Sequence, residues 1–259
     1  MVLERIYVIP HGDEIIDCPN ENSRNMNKVI SEMASGDTSE SIALISPHSL
    51  MLPDKVAIID TEYASGMYDI KSGRLSMKCE IDRPRSRQLK TLAGDLADLA
   101  GFVTSSGPMS NFPLDFGSII PLTFFSQRKI VLMGQPRPKN VDRMFEFGMV
   151  LFGWARDADI KISIVFSADQ AHTHAPDGPY GYSDESSVYD SAIISAINER
   201  DFNRIRTFSP DFIGRAKPDS FWNMIALEGF LEASNLEMKV NYYYVEHYFG
   251  MLAAGLKHQ

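Results

Sequence analysis

The sequence predicts a single-domain α/β fold over residues 1–259, with a central, mostly parallel sheet flanked by helices. Three observations carry that prediction. Short apolar runs rich in β-branched residues recur along the chain and are cut off by Pro, Gly or polar residues, as buried parallel strands are. Segments with a helical apolar rhythm lie between several of them, which is the alternation of βαβ units. A length of 259 residues with 44% hydrophobic side chains suits one large domain with a sizeable core.

Taken in order, strand-like runs fall at residues 6–9, 42–45, 56–59, 119–125, 130–133 and 160–166. Residues 88–103 read as a helix, with Leu89, Leu92, Leu96, Leu99 and Ala100 at helical spacing. Residues 138–158 repeat that rhythm through Val141, Met144, Phe145, Met149 and Phe152. Further helices are expected at 187–200, 201–208 and 220–231, followed by a last strand at 238–245. Residues 17–41 and 60–88 are polar and read as long excursions from the sheet. Within the second, the basic run Arg83-Pro84-Arg85-Ser86-Arg87 reads as a solvated loop rather than a phosphate site. No linker, internal repeat or low-complexity segment divides the chain.

The net charge is −9, from 34 acidic against 25 basic side chains. Such a chain is poorly suited to electrostatic capture of nucleic acid or anionic membranes. The longest apolar stretch, residues 147–155, contains glycine and is too short to span a bilayer. Cys18 and Cys79 are far apart and have no metal-ligand spacing. With few cysteines and no leader-like start, the expected compartment is a reducing cytoplasm.

Histidine placement is the functional signal. Pro10-His11-Gly12-Asp13-Glu14 follows the run at 6–9, and Ser46-Pro47-His48-Ser49 follows the run at 42–45. His172 and His174 come shortly after the run at 160–166, in the segment that also carries Asp169. Ligands of open α/β sheets bind beyond the carboxyl ends of the strands, so these segments are expected to build a metal site there. Neutral imidazole with carboxylate suits divalent iron, zinc or manganese, and two histidines plus one carboxylate form the facial set of non-haem iron oxygenases. Each residue also has a plainer reading. A histidine after a strand is more often a cap or a satisfied polar contact, Asp13 and Glu14 can simply begin a helix, and His247 fits a turn beside an aromatic segment.

At these residues the chain resembles the class III extradiol ring-cleavage dioxygenases, specifically the family of their catalytic subunits, within a group that also includes the Memo-like proteins. The resemblance rests on Pro10-His11-Gly12, Ser46-Pro47-His48, Asp115-Phe116-Gly117-Ser118-Ile119-Ile120-Pro121-Leu122, Ser167-Ala168-Asp169-Gln170-Ala171-His172, Gly178-Pro179-Tyr180-Gly181-Tyr182 and the closing Tyr248-Phe249-Gly250-Met251-Leu252-Ala253-Ala254. It implies an Fe(II) site, with Zn(II) or Mn(II) as alternatives, held by His11 and His48. The third ligand it implies is a late carboxylate, Asp219, ahead of Glu228 and Glu246. It further implies His172 as the acid/base group, with His174 able to share that role, and Asp13, Asp115, Phe116 and Pro121 around the substrate. The implied activity is cleavage of a catechol- or aminophenol-type ring with O2, by a protein that is often a homo-oligomer. Ring-cleaving members carry Asp-His-Gly where this chain has Asp115-Phe116-Gly117, and phenylalanine can stack on a ring but cannot move a proton. Two alternatives follow: a Memo-like metal-binding protein without ring cleavage, and a zinc-dependent hydrolase on the same fold.

Overall fold

A computed structural model describes residues 3–102 and 111–257. In chain order its first half holds β1 (Leu3–Ile9), α1 (Glu14–Asp17), α2 (Glu21–Ala34), β2 (Ser41–Ser46), β3 (Val56–Ile59), β4 (Tyr63–Ile70), β5 (Gly73–Glu80), α3 (Arg83–Ala93) and β6 (Ala97–Ala100). Then come β7 (Phe112–Pro113), α4 (Phe116–Leu122), β8 (Lys129–Gly134), α5 (Asp142–Arg156), β9 (Ile162–Ser167), α6 (Glu185–Glu199), α7 (Asn203–Arg206), α8 (Pro210–Ala216), α9 (Phe221–Ser234), β10 (Met238–Glu246) and β11 (Phe249–Leu256).

The main sheet has eight strands in the order β10-β11-β1-β9-β2-β8-β3-β6. Its centre, β1, β9, β2 and β8, is parallel throughout, and β3 pairs parallel with β6 but antiparallel with β8. On the other flank β11 runs antiparallel to both β1 and β10. The central strands are buried on both faces because alternate side chains enter different cores. Ile6 and Val8 join the core under α5 and α9, whereas Tyr7 and Ile9 join the core shared with α2, α4 and the β4–β5 hairpin. A second sheet of three strands, β5-β4-β7, covers that latter side. The predicted α/β class and mostly parallel central sheet are therefore present as one domain.

The contact of α5 with α9 is backbone on backbone. A Cβ at Gly148 would lie 1.9 Å from the Ala226 carbonyl oxygen, and one at Gly229 would lie 1.9 Å from that of Phe145. Only glycine permits this approach, and it seats α9 with its N-terminus near the carboxyl ends of the central strands.

Several elements differ from the sequence expectation. Residues 119–125, read as a strand, belong mostly to helix α4, in which every residue from Gly117 to Leu122 is buried. A short run buried on all sides has no periodicity that separates helix from strand. The helix expected at 88–103 ends at Ala93, where Gly94 adopts φ 56°, and the chain continues into β6. Val103 and His258 lie outside the described residues. The basic run is not a solvated loop: it opens α3, with Asp82 accepting from the Arg85 amide and proline in the first turn. Its cations are committed, Arg83 and Arg87 to Asp60 and Arg85 to Asp159. The polar excursions contain α2 and the β4–β5 hairpin. Helix α8, capped by the Ser209 hydroxyl on the Phe212 amide (3.1 Å), and strand β11 were not among the predicted elements. Among the described residues, no helix is long and apolar enough to cross a membrane.

Candidate metal centre

Strands β1 and β2 are both parallel neighbours of β9, so their carboxyl ends open on the same side of the sheet. Pro10 and Pro47 end those strands, and the next residues, His11 and His48, turn toward each other with their Nε2 atoms 3.1 Å apart. Asp219 arrives from the loop between α8 and α9. Its Oδ2 lies 3.0 Å from His11 Nε2 and 2.9 Å from His48 Nε2.

This convergence is held from behind by buried polar groups. Gln135, just past β8, donates through Nε2 to the Asp219 carbonyl at 2.8 Å and accepts at Oε1 from the Asn223 amide at 2.9 Å. Asn223, in the first turn of α9, donates through Nδ2 to the Ser167 carbonyl at 2.9 Å and to the Ile45 carbonyl at 3.3 Å. One side chain thus ties together the ends of β2 and β9. Asp169 accepts the His11 backbone N–H at 2.9 Å through Oδ1, places Oδ2 3.4 Å from His11 Nε2, and receives the Ser220 hydroxyl on its carbonyl.

Charge follows from that packing. Burial alone would pull the His11 imidazole down, but the Asp169 and Asp219 carboxylates outweigh it and lift it to about 9. For Asp219 burial pushes upward, while the His11 charge and hydrogen bonds from His11 and His48 hold it far below the ordinary carboxylate range. Asp169 is raised, chiefly by its own burial.

The donor set fits a divalent cation. A metal bonded at about 2.1 Å to donors at right angles leaves those donors about 3 Å apart, and the three edges here are 2.9, 3.0 and 3.1 Å. Asp219 Oδ1 is also buried and finds no hydrogen-bond partner among the described residues. Two imidazoles and one carboxylate on one face match the facial set of non-haem iron sites.

The remaining expected residues fall at several places. His172 is bound through its backbone N–H to the Ala216 carbonyl at 2.9 Å, and its ring stacks on Phe249 with centroids 5.5 Å apart. Tyr180 and Tyr248 flank it at 6.1 Å each. Its Nδ1 is buried without a partner among the described residues. His174 does not converge on the centre: its Nε2 bonds Asp190 at 2.8 Å, and Asp190 also receives Tyr243 and the Ala171 amide. The other two carboxylates considered are elsewhere, Glu228 on Arg206 at 2.8 Å and Glu246 on Asn20 at 2.8 Å. His247, φ 51°, occupies the turn between β10 and β11.

Asp13 precedes α1 and is half-buried beside Glu14, which burial and the Asp13 charge push up to about 7. Both Asp115 oxygens are taken, by Ser46 at 2.7 Å and Ser118 at 2.9 Å. Phe116 packs against His48 at 4.3 Å and against Tyr68 at 5.4 Å, with interplanar angles of 34° and 25°. Its ring is therefore occupied by protein rings. Pro121 is buried inside α4. Sequence reasoning missed Gln135, Asn223 and Tyr68, and gave Ser167 no role. Gln135 carried the same signal that singled out His11 and His48, a polar residue immediately beyond an apolar strand. Asn223 carried none, since a polar residue inside an apolar helix declares its partners only in three dimensions.

Residues 6–256 match the family model described as the catalytic LigB subunit of aromatic ring-opening dioxygenase. A curated relative, Protein CA_C1420 of Clostridium acetobutylicum, is 21% identical over 257 residues, covering 93% of this chain and 54% of its own length. The chain thus spans about half of that relative. Among solved structures, the uncharacterized protein JW3007 from Escherichia coli K12 shares the fold, with a TM-score of 0.66 at 12% identity, over 98% of this chain and 100% of that one.

Proposed function

The chain belongs to the LigB family of catalytic subunits of aromatic ring-opening dioxygenases, and on that premise we propose that it cleaves a catechol- or aminophenol-type ring with O2 at an iron(II) centre. His11, His48 and Asp219 would hold the metal. The observation that carries this reading is the meeting of their three donor atoms within 3.1 Å of one another. When bound, ferrous iron supplies the Lewis acidity that lowers the pKa of a phenolic hydroxyl and the redox activity that O2 requires.

The chain's own residues divide the other tasks. His172 serves as acid and base, taking up a substrate proton and later returning one. Phe249 stacks on its ring, and Tyr248 and Tyr180 flank it and fix its orientation. Phe116 holds the plane of the His48 ring by packing on it, and so contributes to metal geometry rather than to proton transfer. Asp219 and Asp169 supply the negative charge that balances the cation.

Phe116 favours one second reading. It stands where ring-cleaving members have a histidine, so a Memo-like protein that binds metal without opening rings is the competing assignment. The test is anaerobic loading with Fe(II), followed by exposure to O2 with a panel of catechols and aminophenols. Oxygen uptake with a yellow ring-opened product is the expected result. Stoichiometric metal binding with neither signal across the panel would overturn ring cleavage in favour of the second reading. Stoichiometric zinc in protein purified without added metal, together with ester or amide hydrolysis, would favour a hydrolase.

A further inference from the structure

The placement of a proline in α4 bears directly on His11. In an α-helix the Gly117 carbonyl would accept from the backbone nitrogen four residues on. That residue is Pro121, which lies inside α4 and has no N–H to give. The carbonyl is instead used across the domain, where the Ser167 hydroxyl donates to it at 2.6 Å in a buried bond. Ser167 Oγ also lies 2.9 Å from His11 Nδ1, again in a buried contact.

The directions of these bonds are forced. A carbonyl oxygen only accepts, so the single Ser167 proton is spent on Gly117, and Ser167 can meet His11 only as an acceptor. Nδ1 must therefore carry the proton. In the neutral ring Nε2 is then the lone-pair nitrogen, and Nε2 is the atom that faces His48 and Asp219 at 3.1 and 3.0 Å. Gly117 is fitted closely into this position: a Cβ there would meet Ser46 Oγ at 2.8 Å and His48 Cδ2 at 3.1 Å.

We propose that Pro121 and Ser167 are positioning residues for His11. Pro121 frees the Gly117 carbonyl from the helix, and Ser167 relays that acceptor to Nδ1, fixing the tautomer that presents Nε2 to a metal. The inference rests on the metal reading given above. It assigns to Pro121 a role through the backbone, in place of contact with substrate. Partners that fix the tautomer of a ligating histidine are worth about 10- to 100-fold in metal affinity.

The experiment is zinc(II) titration of the full chain with 15N-labelled histidine, read by affinity and by the ring-nitrogen spectrum. Zinc is diamagnetic, so the Nδ1–H of His11 should appear as a slowly exchanging proton in the wild-type complex. Ser167→Ala should lose that protected signal and bind zinc about 10- to 100-fold more weakly, whereas Ser167→Thr, which keeps the hydroxyl, should restore both. Pro121→Ala returns a donor to the helix, and should speed exchange of the same proton and weaken zinc. Zinc bound by Ser167→Ala as tightly as by wild type, with the signal intact, would overturn the proposal. Equal loss in Ser167→Ala and Ser167→Thr would also overturn it, by marking a packing role. An unchanged Pro121→Ala complex would remove the part assigned to proline. Failure of the wild-type protein itself to bind zinc would instead strike the metal reading.

Discussion

Asn223→Ala tests whether the candidate metal centre is built by the network behind it. The side chain is fully buried and donates to two strand-end carbonyls, at 2.9 Å to Ser167 and 3.3 Å to Ile45. Each buried acceptor left unpaired costs about 1–3 kcal/mol. The shorter bond should contribute near the middle of that range and the longer one near its floor, giving a loss of about 3 kcal/mol. Against a total stability of about 5–15 kcal/mol the variant should still fold. Ile45 lies just ahead of His48, and Ser167 contacts His11 through its hydroxyl, so metal affinity should fall by about 10- to 100-fold. Urea denaturation of the metal-free protein measures the first quantity, and a metal titration under native conditions measures the second. A stability loss under about 1 kcal/mol would refute the hydrogen-bond argument. An unchanged affinity beside the full stability loss would show that α9 does not position the donors.

Three further outcomes follow from the same geometry. His11→Ala, His48→Ala and Asp219→Ala should each reduce bound metal from stoichiometric to near background, measured by elemental analysis after gel filtration, whereas His174→Ala should keep metal because its ring bonds Asp190. His11 is raised from 6.5 to about 9, so its protonated form stabilises the metal-free fold. That contribution is complete below about pH 6.5 and disappears as pH rises through about 9. Metal must displace the same proton, so apparent affinity should climb about tenfold per pH unit across that window, followed by titration at fixed ionic strength. Finally, Gly148→Ala drives a Cβ to 1.9 Å from the Ala226 carbonyl oxygen, and should cost about 3 kcal/mol or more in thermal or chemical denaturation because neither backbone can yield.

Much of the architecture was legible because it depends on local pattern. The runs at 6–9, 42–45 and 130–133 are apolar without alternation, as strands buried on both faces are, and with the run at 160–166 they became the parallel centre of the sheet. The run at 119–125 failed by the same criterion, since a helix buried on every side leaves an identical trace. In the basic run at 83–87, the fate of each arginine depended on Asp60 and Asp159, and neither pairing is a property of the local sequence.

For the candidate centre the division is sharper. By itself the sequence determined that histidines stand just beyond buried strands, and that several carboxylates follow late in the chain. Which carboxylate meets them was decided by the tertiary structure. Gln135 holds the Asp219 backbone at the strand ends, while Glu228 pairs with Arg206 and Glu246 with Asn20. The physical reason is that a strand end places one side chain, whereas the mutual distance of three donors is set by hydrogen bonds from other segments. Those segments, β8, β9, α4 and α9, come together only when the two cores close on the sheet.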